Sequence, residues 1–234
     1  MTTRERIPAA PGEVSSSRDI ADFVEEARHL APVDAAKGLI FALDATMSRQ
    51  PTWDSACVLQ AGMFDEAASV GNLSIQLVYY RGLGECRASR WTASGKELKA
   101  LMERIDCRGG HTQLARVLRH CVKEAARGQV EALVFIGDAF EENLDDLCAA
   151  AGELALHAVK AFVFQEGADP AAARAFAELA RLTGGVHCTF NSRSAAELGD
   201  LLRAAAAYAA GGRAALERLA GRQNAARLLL TRMG

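Results

Sequence analysis

What this 234-residue chain lacks narrows it first. No apolar run reaches the roughly 20 residues of a membrane-crossing helix, and the alanine-rich LLRAAAAYAAGG is too short. The opening MTTRERIPAAPGEVSSSRD has charges but no apolar core, so it is not expected to be a signal peptide. Neither sign of charge dominates: 27 basic against 29 acidic side chains leave −2, which gives no general affinity for nucleic acid or anionic membranes. The six cysteines are scattered without a CxxC pair, as expected of reduced, mostly buried thiols in a cytoplasmic protein. There is no internal repeat. What remains, 50% hydrophobic and 24% charged, is ordinary for a soluble globular chain.

The order of elements follows from periodicity. Residues 1–17, rich in Pro, Ser, Thr and Gly, read as a flexible arm. A helix is expected over 18–36, with Ile20, Phe23, Val24, Ala27 and Leu30 on one face and Ser17 as its cap. From Gly38 onward strands alternate with helices. GLIFALD, LSIQLVYYRG, ALVFIGD and KAFVFQEG are apolar without alternation, as parallel strands covered on both faces should be. ECRASRWT is shorter and more polar, an edge strand joined to its predecessor by the tight RGLGE turn. VHCTF is a last short strand. A single helix is expected over 52–71, others in 95–105, 112–127, 144–157 and 170–185, and two helical stretches in the tail divided by Gly211-Gly212. The class is α/β: a three-layer, doubly wound, mostly parallel sheet with one antiparallel edge strand, plus N- and C-terminal helices.

Polar residues collect where such a sheet binds ligands, beyond the carboxyl ends of strands near the reversal of strand order. Asp44 ends the first strand, and Thr46 and Ser48 follow it at alternate positions. Asp138 ends ALVFIGD, and Thr112 follows the glycines of RGGHT. If the two strands are neighbours at the reversal, two carboxylates and three hydroxyls reach one place. All are oxygen donors, the chemistry of hard cations such as Mg²⁺.

On these residues the chain resembles the von Willebrand factor A domains. Their metal-ion-dependent adhesion site reads Asp-x-Ser-x-Ser, then a distant Thr, then a distant Asp. Here DATMS supplies Asp44, Thr46 and Ser48, GGHTQLARVL supplies Thr112, and VFIGDAF supplies Asp138. The resemblance covers about residues 37–205, leaving 206–234 as a helical extension. Departures are Thr46 for Ser, His111 between the glycines and Thr112, and Gly137-Asp138-Ala139 where Thr-Asp-Gly is common. The resemblance implies Mg²⁺ (Mn²⁺ as alternative) held partly through water, with one position left for an acidic side chain of a partner protein. It further implies a non-catalytic, cytoplasmic adaptor, in an assembly linked to a chaperone or an AAA+ ATPase. Arg49, Gln50, His111 and Glu141 are the expected rim that a partner meets.

Competing readings are weaker but specific. Asp44, Thr46 and Ser48 suit a hydrogen-bonded turn, Thr112 suits a helix cap, and Glu141 and Glu142 suit the first turn of the next helix. Cys107 and His111 resemble a nucleophile and base but lack an evident orienting acid. A phosphoester hydrolase using Asp44 would need a general acid at position 46, where Thr stands. Arg81, Arg87, Arg90, Arg104 and Arg108, interleaved with Tyr79, Tyr80 and Trp91, read as a solvated edge hairpin ahead of a nucleic-acid or protein-docking surface. Trp53 is expected to pack rather than join the rim. A metal-free scaffold of the same fold is the remaining alternative.

Overall fold

Five apolar segments and the polar edge segment ECRASRWT pair into one sheet in the computed structural model, which describes residues 37–46, 50–59, 61–128, 130–191 and 195–233. The strands are β1 (Lys37–Asp44), β2 (Leu73–Arg81), β3 (Glu85–Thr92), β4 (Val130–Gly137), β5 (Lys160–Glu166) and β6 (Val186–Phe190). Their order is β3-β2-β1-β4-β5-β6, and every pairing is parallel except β2–β3. The chain leaves β1 for β2 on one side and later returns to β4 on the other. The reversal of strand order therefore falls between β1 and β4, where a crevice opens at the carboxyl ends. The expected strands agree with these within one or two residues.

Alternation along each strand sorts the core into two layers. Leu39, Phe41 and Leu43 of β1 join Val134 and Ile136 of β4 on one face. That face is covered by α1 (Gln50–Leu59), α2 (Ala61–Ala68), α3 (Gly95–Met102), α7 (Ala195–Ala220) and α8 (Asn224–Met233). Ile40 and Ala42 join Val78, Tyr80, Leu133 and Phe135 on the other, under α4 (Leu114–Ala125), α5 (Leu144–Leu156) and α6 (Pro170–Thr183). With both faces covered, the strands must read as unbroken apolar runs, which is why they were conspicuous in the sequence.

One helical expectation is corrected. Within the segment 52–71, α1 and α2 stand on either side of residue 60, which lies outside the described residues, and Trp53, Ala56, Met63 and Ala67 are buried at helical spacing. The helix expected from Thr112 begins at Leu114, leaving Thr112 in the preceding loop. In the tail, Gly212 adopts φ 64°, ψ −161° and kinks α7 where Gly211-Gly212 marked a division. At Gly211 an added Cβ would lie 2.2 Å from Val70 Cγ1, so α7 sits against the end of α2 as only glycine allows. The arm 1–17 and the helix over 18–36 lie outside the described residues. Among the described residues no helix is long and apolar enough to cross a membrane.

Candidate metal centre

Asp44, Thr46, Thr112 and Asp138 line one pocket of about 220 Å³ with Gly109, Gly110, Ala139 and Glu141. It lies at the reversal between β1 and β4, and each contributor arrives there for a local reason. Asp44 is the last residue of β1 and pairs in register with Tyr80 of β2. Its carboxylate is only 2% exposed; Oδ1 accepts from the Thr46 backbone N–H at 2.8 Å and Oδ2 from the Tyr80 hydroxyl at 3.0 Å. The first of these bonds is the Asx-type turn that the spacing suggested, and it turns the chain out of the strand. Thr46 is buried, while Ser48 and Arg49 lie outside the described residues.

The loop carrying Thr112 is fastened by backbone bonds. Arg108 N–H donates to Ala45 O at 3.0 Å, and His111 N–H donates to Gly82 O at 3.3 Å. Gln113 Nε2 adds bonds to Arg81 O and Gly82 O at 3.3 and 3.2 Å. A Cβ at Gly110 would sit 2.2 Å from Gly82 O, so the glycines of RGGHT permit two backbones to touch. His111 is thereby accommodated on the outside of the loop, with Thr112 turned inward and buried.

The β4–α5 loop closes the third side. Glu141 N–H donates to Thr112 Oγ1 at 2.9 Å, while Glu141 Oε2 lies 3.3 Å from Thr112 N and 3.2 Å from His111 Nδ1. Glu142 accepts from Leu114 N–H and Ala115 N–H at 2.5 and 2.9 Å. It thus caps α4, whose own cap residue Gln113 makes no side-chain cap bond. This corrects the first-turn reading: α5 starts at Leu144 under an Asn143 cap, and the acids before it serve the other helix.

Electrostatically the pocket is one-sided. Burial pushes the Asp44 carboxyl above its ordinary range; bonds from the Thr46 side chain and backbone and from Tyr80 pull it back, and Asp138 adds a further upward push. Burial first, then the Asp44 charge, holds the Tyr80 phenol well above its usual value, so it stays a hydrogen-bond donor. Among the described residues lining the pocket there are three acids and no Lys or Arg. A cation would relieve the charge on Asp44 and Asp138, and carboxylate plus hydroxyl donors fit a hard divalent ion. No group of three or more His, Cys, Asp or Glu is arranged for a metal among the described residues, so hydroxyls would have to complete the donor set.

The remaining candidates separate. Glu141 does supply an orienting acid to His111, but the Cys107 thiol is 5% exposed and packs in the opposite core layer with Cys57. Trp53 is 2% exposed, donates through Nε1 to Met102 O at 3.3 Å and meets Tyr79 edge-on. Tyr80 and Glu142 were missed as supports of the site. Only strand register and the fold of a distant loop reveal them.

The fold is that of the von Willebrand factor A domains. The chain superposes on a von Willebrand factor type A protein from Catenulispora acidiphila with a TM-score of 0.58 at 17% identity, over 76% of this chain and 43% of that one. The SpRpn10 VWA domain matches with 0.54 at 10% identity, over 70% of this chain and 95% of that domain. Proximal thread matrix protein 1 from the mussel byssus, with a zinc-occupied MIDAS motif, matches with 0.60 at 15% identity, over 74% and 48%. This chain thus spans less than half of the bacterial and mussel chains. A scan against protein-family models and a search of the curated proteins both give no match.

Proposed function

We propose that this chain is a non-catalytic, divalent-cation-dependent protein-binding module. Asp44, Thr46, Ser48, Thr112 and Asp138 would hold Mg²⁺, or Mn²⁺, at the end of the sheet. The observation that carries the reading is the convergence of Asp44, Thr46, Thr112 and Asp138 on one pocket lined by acids. When bound, the ion would present an electron-poor position to a carboxylate of a partner protein. His111 and Glu141, paired at the surface beside the pocket, would form part of the rim with Arg49 and Gln50. The zinc-occupied motif of the mussel protein supports a divalent ion in this fold without selecting which one. A cytoplasmic adaptor serving a chaperone or AAA+ ATPase assembly is the finer form of this proposal.

The test is a partner pull-down with wild type and Asp44→Ala, each in Mg²⁺ and in EDTA. The expected result is a set of proteins captured only by wild type in Mg²⁺. Identical captures in all four conditions would leave a metal-free scaffold instead. Turnover of a generic phosphate ester, abolished by Asp44→Asn, would favour the hydrolase.

A further inference from the structure

A second pocket has the opposite charge. Between edge strand β3 and helix α4 lies a cleft of about 350 Å³ lined by Val78, Gly84, Cys86, Arg87, Ala88, Arg116, Arg119, His120 and Lys123. Arg116, Arg119 and Lys123 of α4 bring two guanidinium groups and an ammonium group to it, whereas Arg87 pairs with Tyr79 on the other face of β3, and no carboxylate is among the described residues lining it. The chain as a whole carries −2, so this concentration is local.

The charges here differ from their neighbours on the same elements. Arg81 at the end of β2 pairs with Glu85 at 3.0 Å, Arg90 of β3 with Glu97 at 3.5 Å, and Arg127 beyond α4 with Glu124 at 2.5 Å. Among the described residues Arg119 and Lys123 make no ion pair. Arg116 is held in place, its Nη1 donating to Gly84 O and to Gln113 Oε1, each at 2.7 Å. His120 is likewise fixed, with Nε2 2.7 Å from Gln76 Oε1. Two oriented groups therefore sit in the cleft beside two cations lacking a counter-charge.

We propose that this cleft binds a phosphate-bearing ligand, through Arg119 and Lys123 with Arg116 as a preset donor. Planar guanidinium forks match phosphate oxygens two at a time, and a concave site holding three positive charges suits a multiply charged oxyanion. An extended nucleic-acid track would require a basic stripe rather than a bounded cleft, and the pairing of Arg81, Arg90 and Arg127 limits the charge to this one place.

The experiment is calorimetric titration of the full chain in EDTA, which keeps the acidic pocket's cation out of the measurement. Probes are inorganic pyrophosphate, a phosphoserine peptide with its serine and glutamate counterparts, and a single-stranded oligonucleotide. Pyrophosphate and the phosphopeptide are expected to bind, more weakly as salt rises, and to shift the His120 ring resonances in NMR spectra. In Arg119→Glu/Lys123→Glu affinity should fall at least about tenfold, since hydrogen bonds to charged groups are each worth roughly that factor. Arg116→Gln, which removes the preset fork, should repeat the loss, and the melting curve of each variant shows whether it is folded. Pyrophosphate binding alone assigns the cleft to a small ligand, and binding of both assigns it to a phosphorylated protein segment. No binding at low salt, unchanged binding in folded variants, or preference for the oligonucleotide would each overturn the proposal.

Discussion

Asp44 concentrates the physics of the candidate site in one side chain. Its carboxylate is buried, pushed upward in pKa by that burial, and set near a second acid. Without a cation the charge is a cost, so Asp44→Asn should leave stability in EDTA equal to or above wild type. In Mg²⁺ the wild type should gain about 2.7 kcal/mol when the ion is at 100 times its dissociation constant, and the variant nothing. Denaturant melts with and without Mg²⁺ check both. Glu142 makes a separate contribution by capping α4 from outside that helix. Glu142→Ala should cost about 1–2 kcal/mol, in line with lost caps and charge-assisted bonds, read from urea midpoints.

Strand neighbours set the behaviour of the histidines. His187 on β6 lies with Nε2 2.9 Å from Gln165 Oε1 on β5, and burial, then the Arg232 charge, holds its imidazolium below 6.5. Burial likewise lowers His120, with Glu124 opposing and Lys123 and Arg127 assisting. A base whose folded pKa is depressed binds protons more readily when unfolded. Its contribution is present above the unfolded pKa and is lost as pH falls through the lower folded value. Stability should therefore decline on acidification from about pH 7 downward. The decline should flatten in His120→Gln/His187→Gln, with urea titrations made in the Asp44→Asn background so that Asp44 does not contribute. A slope unchanged by the double substitution would assign the acid sensitivity to other groups.

Across the whole molecule, the question is whether residues 206–234 are separable from 37–205. Helix α7 continues through that boundary and kinks only at Gly212, and Leu216, Leu219 and Leu229 are at most 2% exposed in the same core layer as β1. Burying three leucines is worth about 5–9 kcal/mol at 1.5–3 each, set against a typical total of about 5–15. We expect a chain ended at residue 205 to lose cooperative unfolding or to aggregate. A sharp melt close to that of the full chain would instead make the tail a detachable handle for partners.

By itself the sequence determined the α/β class, the strands and four of the residues that line the pocket. Short continuous apolar runs bounded by turn residues suit strands covered on both faces, and Asp44, Thr112 and Asp138 lie at the element ends where an open sheet binds ligands. The departures in the motif were readable too, but their consequence was not. Only the tertiary structure placed β4 beside β1, which brings Asp138 toward Asp44, and turned Tyr80 onto Asp44 through strand register. It alone showed that Gly110 lets the loop touch Gly82, leaving His111 outside and Thr112 within. Glu142 capping α4 and the basic cleft beside β3 were decided in the same way. Local pattern reports which face of an element is buried, whereas contacts between distant loops depend on packing that no local pattern encodes.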